Sequence, residues 1–480
     1  MLLRFSAANF LSIDGELELS LVATRETQHG ERLAETKAVA HRLLQAAAIW
    51  GGNAAGKSNL CKVLEFAQRL IVKGTRPDAS TGRIPFRLRE NAGKEPTRLS
   101  FDILLEIDGK ERAFRYAFAV GSREVVEEAL TEIRPSSERV YFTRSAGTGG
   151  RPDFSLDAWA RPGVADDDRQ FARFVAKGTA PNQLFLHEAM DRNLGLLAPV
   201  FRWFRDQLIV LEPGAPYLPL ELEGSNRQDL RDYTVDLLSR AGTGVTGVEP
   251  REQPLANSGI GAEMAKELGS LLADDDTGIM LRGPRGERVS VFRKEGELVA
   301  SRIVTRRLTD EGREVHFETV DESDGTLRLL DLAPILHDLE RPGARRTYVI
   351  DELDRSMHNQ LTEALLQHYL TTRSSATRTQ LVFTTHDLQL MDQRLLRRDE
   401  IWLIERGPHG ETLLESLADY QGLRADRDIR KAYLEGRFSG IPHLAPLRAR
   451  GRRASIAAVE GETQPSGDPV ALSAETRGGT

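Results

Sequence analysis

Four short stretches of this chain combine residue types and spacings that could carry phosphate chemistry. In Ile49-Trp50-Gly51-Gly52-Asn53-Ala54-Ala55-Gly56-Lys57-Ser58 every fixed position of G-x-x-x-x-G-K-[ST] is filled. Gly51 and Gly56 free the backbone to fold its N–H groups around a phosphate chain, Lys57 can reach the β- and γ-phosphates, and the Ser58 hydroxyl can ligate Mg²⁺. The apolar run Tyr348-Val349-Ile350 ends in Asp351-Glu352, which suits Asp351 to the Mg²⁺ shell and Glu352 to the water that attacks a phosphate. His386 follows Leu381-Val382-Phe383-Thr384-Thr385, at the edge where open α/β sheets bind ligands, and can contact a γ-phosphate there; taken alone, it also reads as a polar residue at a strand exit. Glu322-Ser323-Asp324-Gly325-Thr326 precedes an apolar helix and offers a hydroxyl and helix N-terminal amides to an anion, or else a plain N-cap, for which Ser323 and Asp324 serve equally. The chemistry indicated is binding and hydrolysis of ATP with Mg²⁺, with Glu352, His386 and Lys57 as the expected catalytic groups.

These groups need a scaffold that gathers strand ends. Ala46–Trp50 reads as a buried strand, and Leu60, Val63, Leu64, Ala67, Leu70 and Ile71 recur at helical spacing until Gly74. Farther on, a helix from Thr326 carries Leu329, Leu330, Ala333 and Leu336, followed by strand Tyr348–Ile350, helix Leu361–Leu370 and strands Leu381–Phe383 and Ile401–Ile404. The alternation predicts an α/β fold with a mainly parallel core sheet covered on both faces. Short alternating runs around Leu3–Phe5 and Leu17–Leu19 predict a hairpin or meander feeding that core. Strands Leu99–Ile107 and Ala113–Val120, joined through Asp108-Gly109, and a third at Val125–Ile133 predict a small antiparallel sheet. Residues 144–180 receive no element. Leu184 to Leu208 reads as helix, divided or kinked at Pro199; Asp229–Ser239 and Ala262–Leu272 read as further helices. Strands return at Val289–Phe292, Leu298–Val304 and Val315–Val320. No stretch between the phosphate loop and residue 320 sustains heptads, so a long coiled-coil arm is not expected.

Composition narrows the class. The 480 residues are 40% hydrophobic and 29% charged, with no apolar run near the length a bilayer requires. Met1–Phe5 passes straight into a strand pattern without a basic region and apolar core, and the single cysteine, Cys61, has no intramolecular partner; a cytoplasmic protein without a membrane role is expected. A net charge of −7 argues against coating nucleic acid with the whole surface, although Ser301–Arg307 and the tail arginines Arg448, Arg450, Arg452 and Arg453 could meet phosphates. A solvated strand face and a disordered linker explain the same residues.

In the order Gly51–Ser58, Ser323–Thr326, Asp351-Glu352, His386, the chain resembles the ATP-binding-cassette ATPases, and more closely the branch that includes RecF and the structural-maintenance-of-chromosomes heads. A Gly-x-Asn-x-x-Gly-Lys-Ser-Asn phosphate loop is usual in that branch, which implies nucleotide contacts for Asn53 and Asn59 as well. The resemblance makes Ser323 and Gly325 the signature motif, which closes on a γ-phosphate held by a second subunit, and Leu353–His358 the D-loop across that interface. It implies a homodimer or higher homo-oligomer, formed around ATP and released on hydrolysis. Asn9-Phe10-x-Ser12, Pro85-Phe86, Trp203-Phe204, Thr243-Gly244, Thr384–Asp387 and Tyr433-Leu434-x-Gly436-Arg437-Phe438 extend the likeness over most of residues 1–445, to the compact AAA family ATPases of bacterial anti-phage loci, the group around RloA and the PARIS and Septu ATPases. Met357 and Asp324 depart from that pattern, where Leu and Gly are usual, and no glutamine is assigned to the Q-loop.

The organisation implied is an N-terminal lobe with the phosphate loop (1–140), a largely helical insertion (141–285), a C-terminal lobe with signature, acidic strand end, D-loop and His386 (286–445), and a disordered tail (446–480). The function implied is a sensor or regulatory ATPase controlling a separately encoded effector, a nuclease or toxin. The alternative is a RecF-like repair ATPase that binds duplex DNA; a transporter subunit fits poorly, since no membrane segment is present.

Overall fold

Six strands form the core sheet, in the order Thr412–Ser416, Ile401–Arg406, Ala46–Gly51, Gln380–Thr385, Thr347–Ile350, Leu208–Leu211. All neighbours are parallel except the first pair. The computed structural model describes residues 1–147, 151–213, 215, 220, 227–272, 278–283, 287–420 and 428–440. Met1–Pro442 makes one compact unit. The expected tail, 446–480, with its arginines, lies outside the described residues.

The central strands are buried along their whole length because both faces are covered. Ala47, Ile49, Val349 and Val382 point into a core shared with helix Lys57–Lys73, whereas Ala46, Ala48, Tyr348, Ile350 and Phe383 point into one shared with helices Asp324–Glu340 and Asn359–Thr371. Neighbouring residues thus serve opposite cores, as the two-residue repeat of a strand requires. Truncating a side chain as deep as Phe383 would cost about 3–5 kcal/mol.

A seven-stranded antiparallel sheet runs in the order Leu17–Ser20, Leu2–Ala8, Thr97–Ile107, Lys110–Val120, Val125–Arg134, Ser137–Ser145, Asp153–Ser155. Asp108 (φ 52°) and Gly109 (φ 70°) make the tight turn of its longest hairpin. Phe5, Phe101, Tyr116 and Phe142 share their core with the phosphate-loop helix, so this sheet backs the nucleotide lobe. The expected three strands are therefore part of a larger sheet, and 144–180, assigned nothing from sequence, supplies an edge strand and helix Asp166–Gly178. A third sheet pairs Gly247–Pro254, Glu297–Leu308, Arg288–Lys294 and Gly278–Arg282, with Glu314–Glu318 also on Glu297–Leu308.

Pro199 does not kink a helix. It occupies the first turn of Ala198–Arg202, where its missing N–H leaves no bond unmade, and helix Phe185–Asp191 has already ended. The stretch 141–285, expected to be largely helical, also carries strands, and one of them, Leu208–Leu211, lies in the core sheet beside Thr347–Ile350. Ile209 and Val210 are β-branched, and their backbone groups find a ladder there that a continued helix would have denied them. Among the described residues no helix is long and apolar enough to cross a membrane.

Candidate functional site

The phosphate loop leaves strand Ala46–Gly51 and enters helix Lys57–Lys73 through Gly56, whose φ of +112° a side chain would resist. Space is also lacking. A Cβ on Gly56 would stand 2.1 Å from Thr412 Oγ1, and one on Gly51 2.2 Å from the Ile404 carbonyl oxygen. Lys57 donates to the carbonyls of Gly51 (2.8 Å) and Gly52 (3.0 Å), which holds its ammonium within the loop. Burial draws the Lys57 pKa below its ordinary value, while Asp351, Glu352 and Asp354 pull it back up.

The loop is braced from outside. Thr412 Oγ1 donates to the Ala55 carbonyl (3.1 Å) and lies 2.6 Å from Ser12 Oγ, to which Asn59 Nδ2 also donates (2.6 Å). Asn59 is thus engaged as a buttress between Ser12 and the helix, whereas Asn53 is exposed at the loop's surface. On the far side Gly52 N–H donates to the carbonyl of Gly440 (3.1 Å), which also accepts from Tyr433 OH (2.6 Å). The Tyr433–Phe438 stretch therefore belongs to the frame of the phosphate loop.

Two parallel strands away, Asp351 is 1% exposed and its N–H donates to the Leu211 carbonyl (3.0 Å). Thr384 Oγ1, on the intervening strand, donates to Asp351 Oδ1 (2.5 Å) and accepts from Glu352 N–H (2.8 Å). Glu352 has a positive φ of 52°, and its carbonyl accepts from Arg328 Nη2 (3.1 Å). His386 leaves the same strand as Thr384; its N–H reaches Asp354 Oδ2 (3.4 Å), and Trp50 Nε1 fastens the next carbonyl, that of Asp387 (2.9 Å). Burial lowers the His386 pKa and the Lys57 charge lowers it further, against Asp354, Glu352 and Asp351. Lys57, Asp351, Glu352 and His386 consequently lie within one another's field, at the C-terminal ends of adjacent parallel strands.

Ser323 and Gly325 stand at the start of helix Asp324–Glu340. Ser323 is the N-cap of helix Asp324–Glu340, its Oγ accepting from Thr326 N–H (3.2 Å), so of the two N-cap candidates the serine takes the position. The pair lines an open depression of about 340 Å³ with Thr243, Arg307, Ser356 and His358, and none of the four cluster residues lines it. A Cβ on Gly325 would stand 3.0 Å from the Ser356 carbonyl, so the D-loop stretch packs directly on the start of this helix. Ser58 Oγ, at the start of the phosphate-loop helix, and the Asp351 carboxylate are hard oxygen donors of the kind Mg²⁺ takes, and the Thr384 bond fixes one carboxylate oxygen.

Several contributors escaped the sequence reading as site residues: Thr384, Arg328, Thr412 and Gly440. Thr384 was visible two residues before His386, but only the register Ile350↔Phe383 shows what it touches. The basic strand at Ser301–Arg307 is largely compensated. Arg306 pairs with Glu314 (2.8 Å) and Glu249 (3.6 Å), and Arg307 with both oxygens of Glu322 (2.6 and 2.8 Å).

The sequence matches the family described as "AAA domain, putative AbiEii toxin, Type IV TA system" over residues 46–177 and 231–392, which takes in the phosphate loop, Ser323, the acidic pair and His386. No curated protein matches the chain. Among solved structures, an SMC head bound to the C-terminal winged-helix domain of ScpA is similar at 11% identity and a TM-score of 0.37, covering 86% of this chain and 97% of that one, a likeness too slight to bear on function.

Proposed function

Because the chain belongs to this family of AAA domains, we propose that it binds and hydrolyses ATP, that two copies join around the nucleotide, and that the joined state governs a separate effector. One observation carries the ATPase reading: Lys57, Asp351, Glu352 and His386 converge on one edge of the core sheet. Lys57 and the loop N–H groups would hold the phosphates, Ser58 and Asp351 the Mg²⁺, which when bound neutralises phosphate charge. Glu352 would orient and deprotonate the attacking water, and His386, kept neutral by its lowered pKa, would donate a hydrogen bond to the γ-phosphate.

The dimer reading rests on the Ser323 depression, which presents a helix N-terminus and a capping hydroxyl and is lined by none of Lys57, Asp351, Glu352 and His386. It is the arrangement expected of a surface that completes another copy's site. An effector of toxin type is supported by the family's description, which names a toxin–antitoxin system. The RecF-like alternative gains nothing from Ser301–Arg307, where Arg306 and Arg307 are already paired with carboxylates.

The test uses a tagged Glu352→Gln chain expressed in its native host, purified in ATP-Mg²⁺ with Lys57→Ala as the control, and mass spectrometry of what accompanies it. A stoichiometric nuclease or toxin bound to one variant and not the other is the expected result. Recovery of DNA with replication or repair proteins would replace the effector reading by the repair one, and phosphate release by Glu352→Gln at the wild-type rate would remove Glu352 from the chemistry.

A further inference from the structure

We infer that Thr384 and Arg328 clamp the backbone of Glu352 from two sides and so set its carboxylate for hydrolysis, an inference that rests on the ATPase reading above. Glu352 holds a φ of +52°, a strained conformation for a non-glycine residue that persists only where its surroundings impose it. Both of its backbone groups are held. The N–H donates to Thr384 Oγ1 at 2.8 Å, and the carbonyl accepts from Arg328 Nη2 at 3.1 Å. Thr384 is 1% exposed and Arg328 4%, so both clamping residues are themselves fixed within the core.

The directions of these bonds are fixed by chemistry. A hydroxyl has one proton, and that of Thr384 goes to Asp351 Oδ1, 2.5 Å away, which leaves its oxygen to receive the Glu352 N–H. One side chain thereby ties the expected Mg²⁺ ligand to the expected general base. Arg328 reaches Glu352 from helix Asp324–Glu340, the helix that Ser323 caps. Its position is braced in turn. Asp331 on the same helix draws the Arg328 charge and is itself gripped by Arg288 from the third sheet (2.5 and 3.2 Å). Thr384 and Arg328 are positioning residues: they act on the reaction through Glu352.

The experiment compares Thr384→Val, Thr384→Ser, Arg328→Met and Arg328→Lys with wild type and Glu352→Gln. Three quantities are read: kcat and KM for ATP, nucleotide affinity by calorimetry, and hydrogen exchange of the peptide spanning 350–355 without nucleotide. Loss of a group that orients a metal ligand or base lowers activity about 10- to 100-fold, so Thr384→Val and Arg328→Met should lose that much kcat. Their ATP affinity should stay within about threefold, since uniform binding is untouched, and the Glu352 amide should exchange faster in Thr384→Val. Thr384→Ser, which keeps the hydroxyl, and Arg328→Lys, which keeps a charged donor, should recover most of the loss. Wild-type kcat and a protected amide in Thr384→Val would overturn the clamp, as would a Thr384→Ser defect equal to that of Thr384→Val. Should Thr384→Val not fold, the Arg328 pair decides, with wild-type kcat in Arg328→Met as the contrary result. An inactive Glu352→Gln beside active clamp variants would sink the clamp alone, whereas no turnover by wild type would sink the ATPase reading with it.

Discussion

Lys57, Asp351, Glu352 and His386 gather at the end of the core sheet, where the two carboxylates raise the pKa of Lys57 and of His386 against burial, whereas Ser323 and Gly325 line an open depression that none of those four residues shares. The first region is built from charged groups and a histidine that need rigid positioning, and each is supplied by a strand end or the loop beside one. The second holds a capping hydroxyl and the N-terminus of a long helix, groups that attract an anion without bearing a full charge. The difference bears on the proposal that two copies share each site: the first region would hold a nucleotide, and the second would meet one held by another copy.

Five substitutions would break or sharpen that contrast. The largest effect is expected in Glu352→Gln, with kcat lowered about 10²–10⁴-fold as the general base is lost while ATP still binds, measured as steady-state phosphate release beside calorimetric affinity. Lys57→Ala should weaken ATP binding itself by about 2–5 kcal/mol, the usual cost of removing one partner from a desolvated charge contact, read from the same calorimetry. A mixing experiment addresses the second face. Lys57→Ala and Ser323→Arg should each be inactive, yet an equal mixture should regain roughly a quarter of wild-type turnover, because half the dimers are mixed and each has one intact composite site. A mixture as inactive as its components would place both functions in one chain.

The smallest effect concerns the loop's frame. Gly56→Ala meets Thr412 at 2.1 Å and must hold φ near +112°, a strain of about 1–3 kcal/mol. Gly109→Ala also sits at positive φ but in open space, so about 1 kcal/mol is expected. Chemical denaturation with ligand absent measures both, and equal losses would show that contact with Thr412 adds nothing.

How far these regions could be read in advance follows from how local their signals are. The phosphate loop and the acidic strand end are spelled by consecutive residues, and strand–helix alternation was enough for the α/β core. Strand Leu208–Leu211 was hidden because four residues carry no periodicity of their own, and it exists only through the ladder beside Thr347–Ile350. The supports of the site come from distant positions: Thr412 and Ser12 meet at 2.6 Å although 400 residues separate them, and no local pattern could pair them. The pairing of charge is hidden for the same reason. Arg306 and Arg307 look free along their own strand, but Glu249, Glu314 and Glu322 arrive from other segments to neutralise them.

Division of the site between two faces is the central claim, and the mass of Glu352→Gln in solution tests it most directly. With ATP and Mg²⁺ the 53.4 kDa chain should double in mass by analytical ultracentrifugation, while Lys57→Ala with ATP, and Glu352→Gln without nucleotide, should keep the mass of one chain. A Glu352→Gln chain that binds ATP and keeps the same mass at every concentration tried would contradict the account.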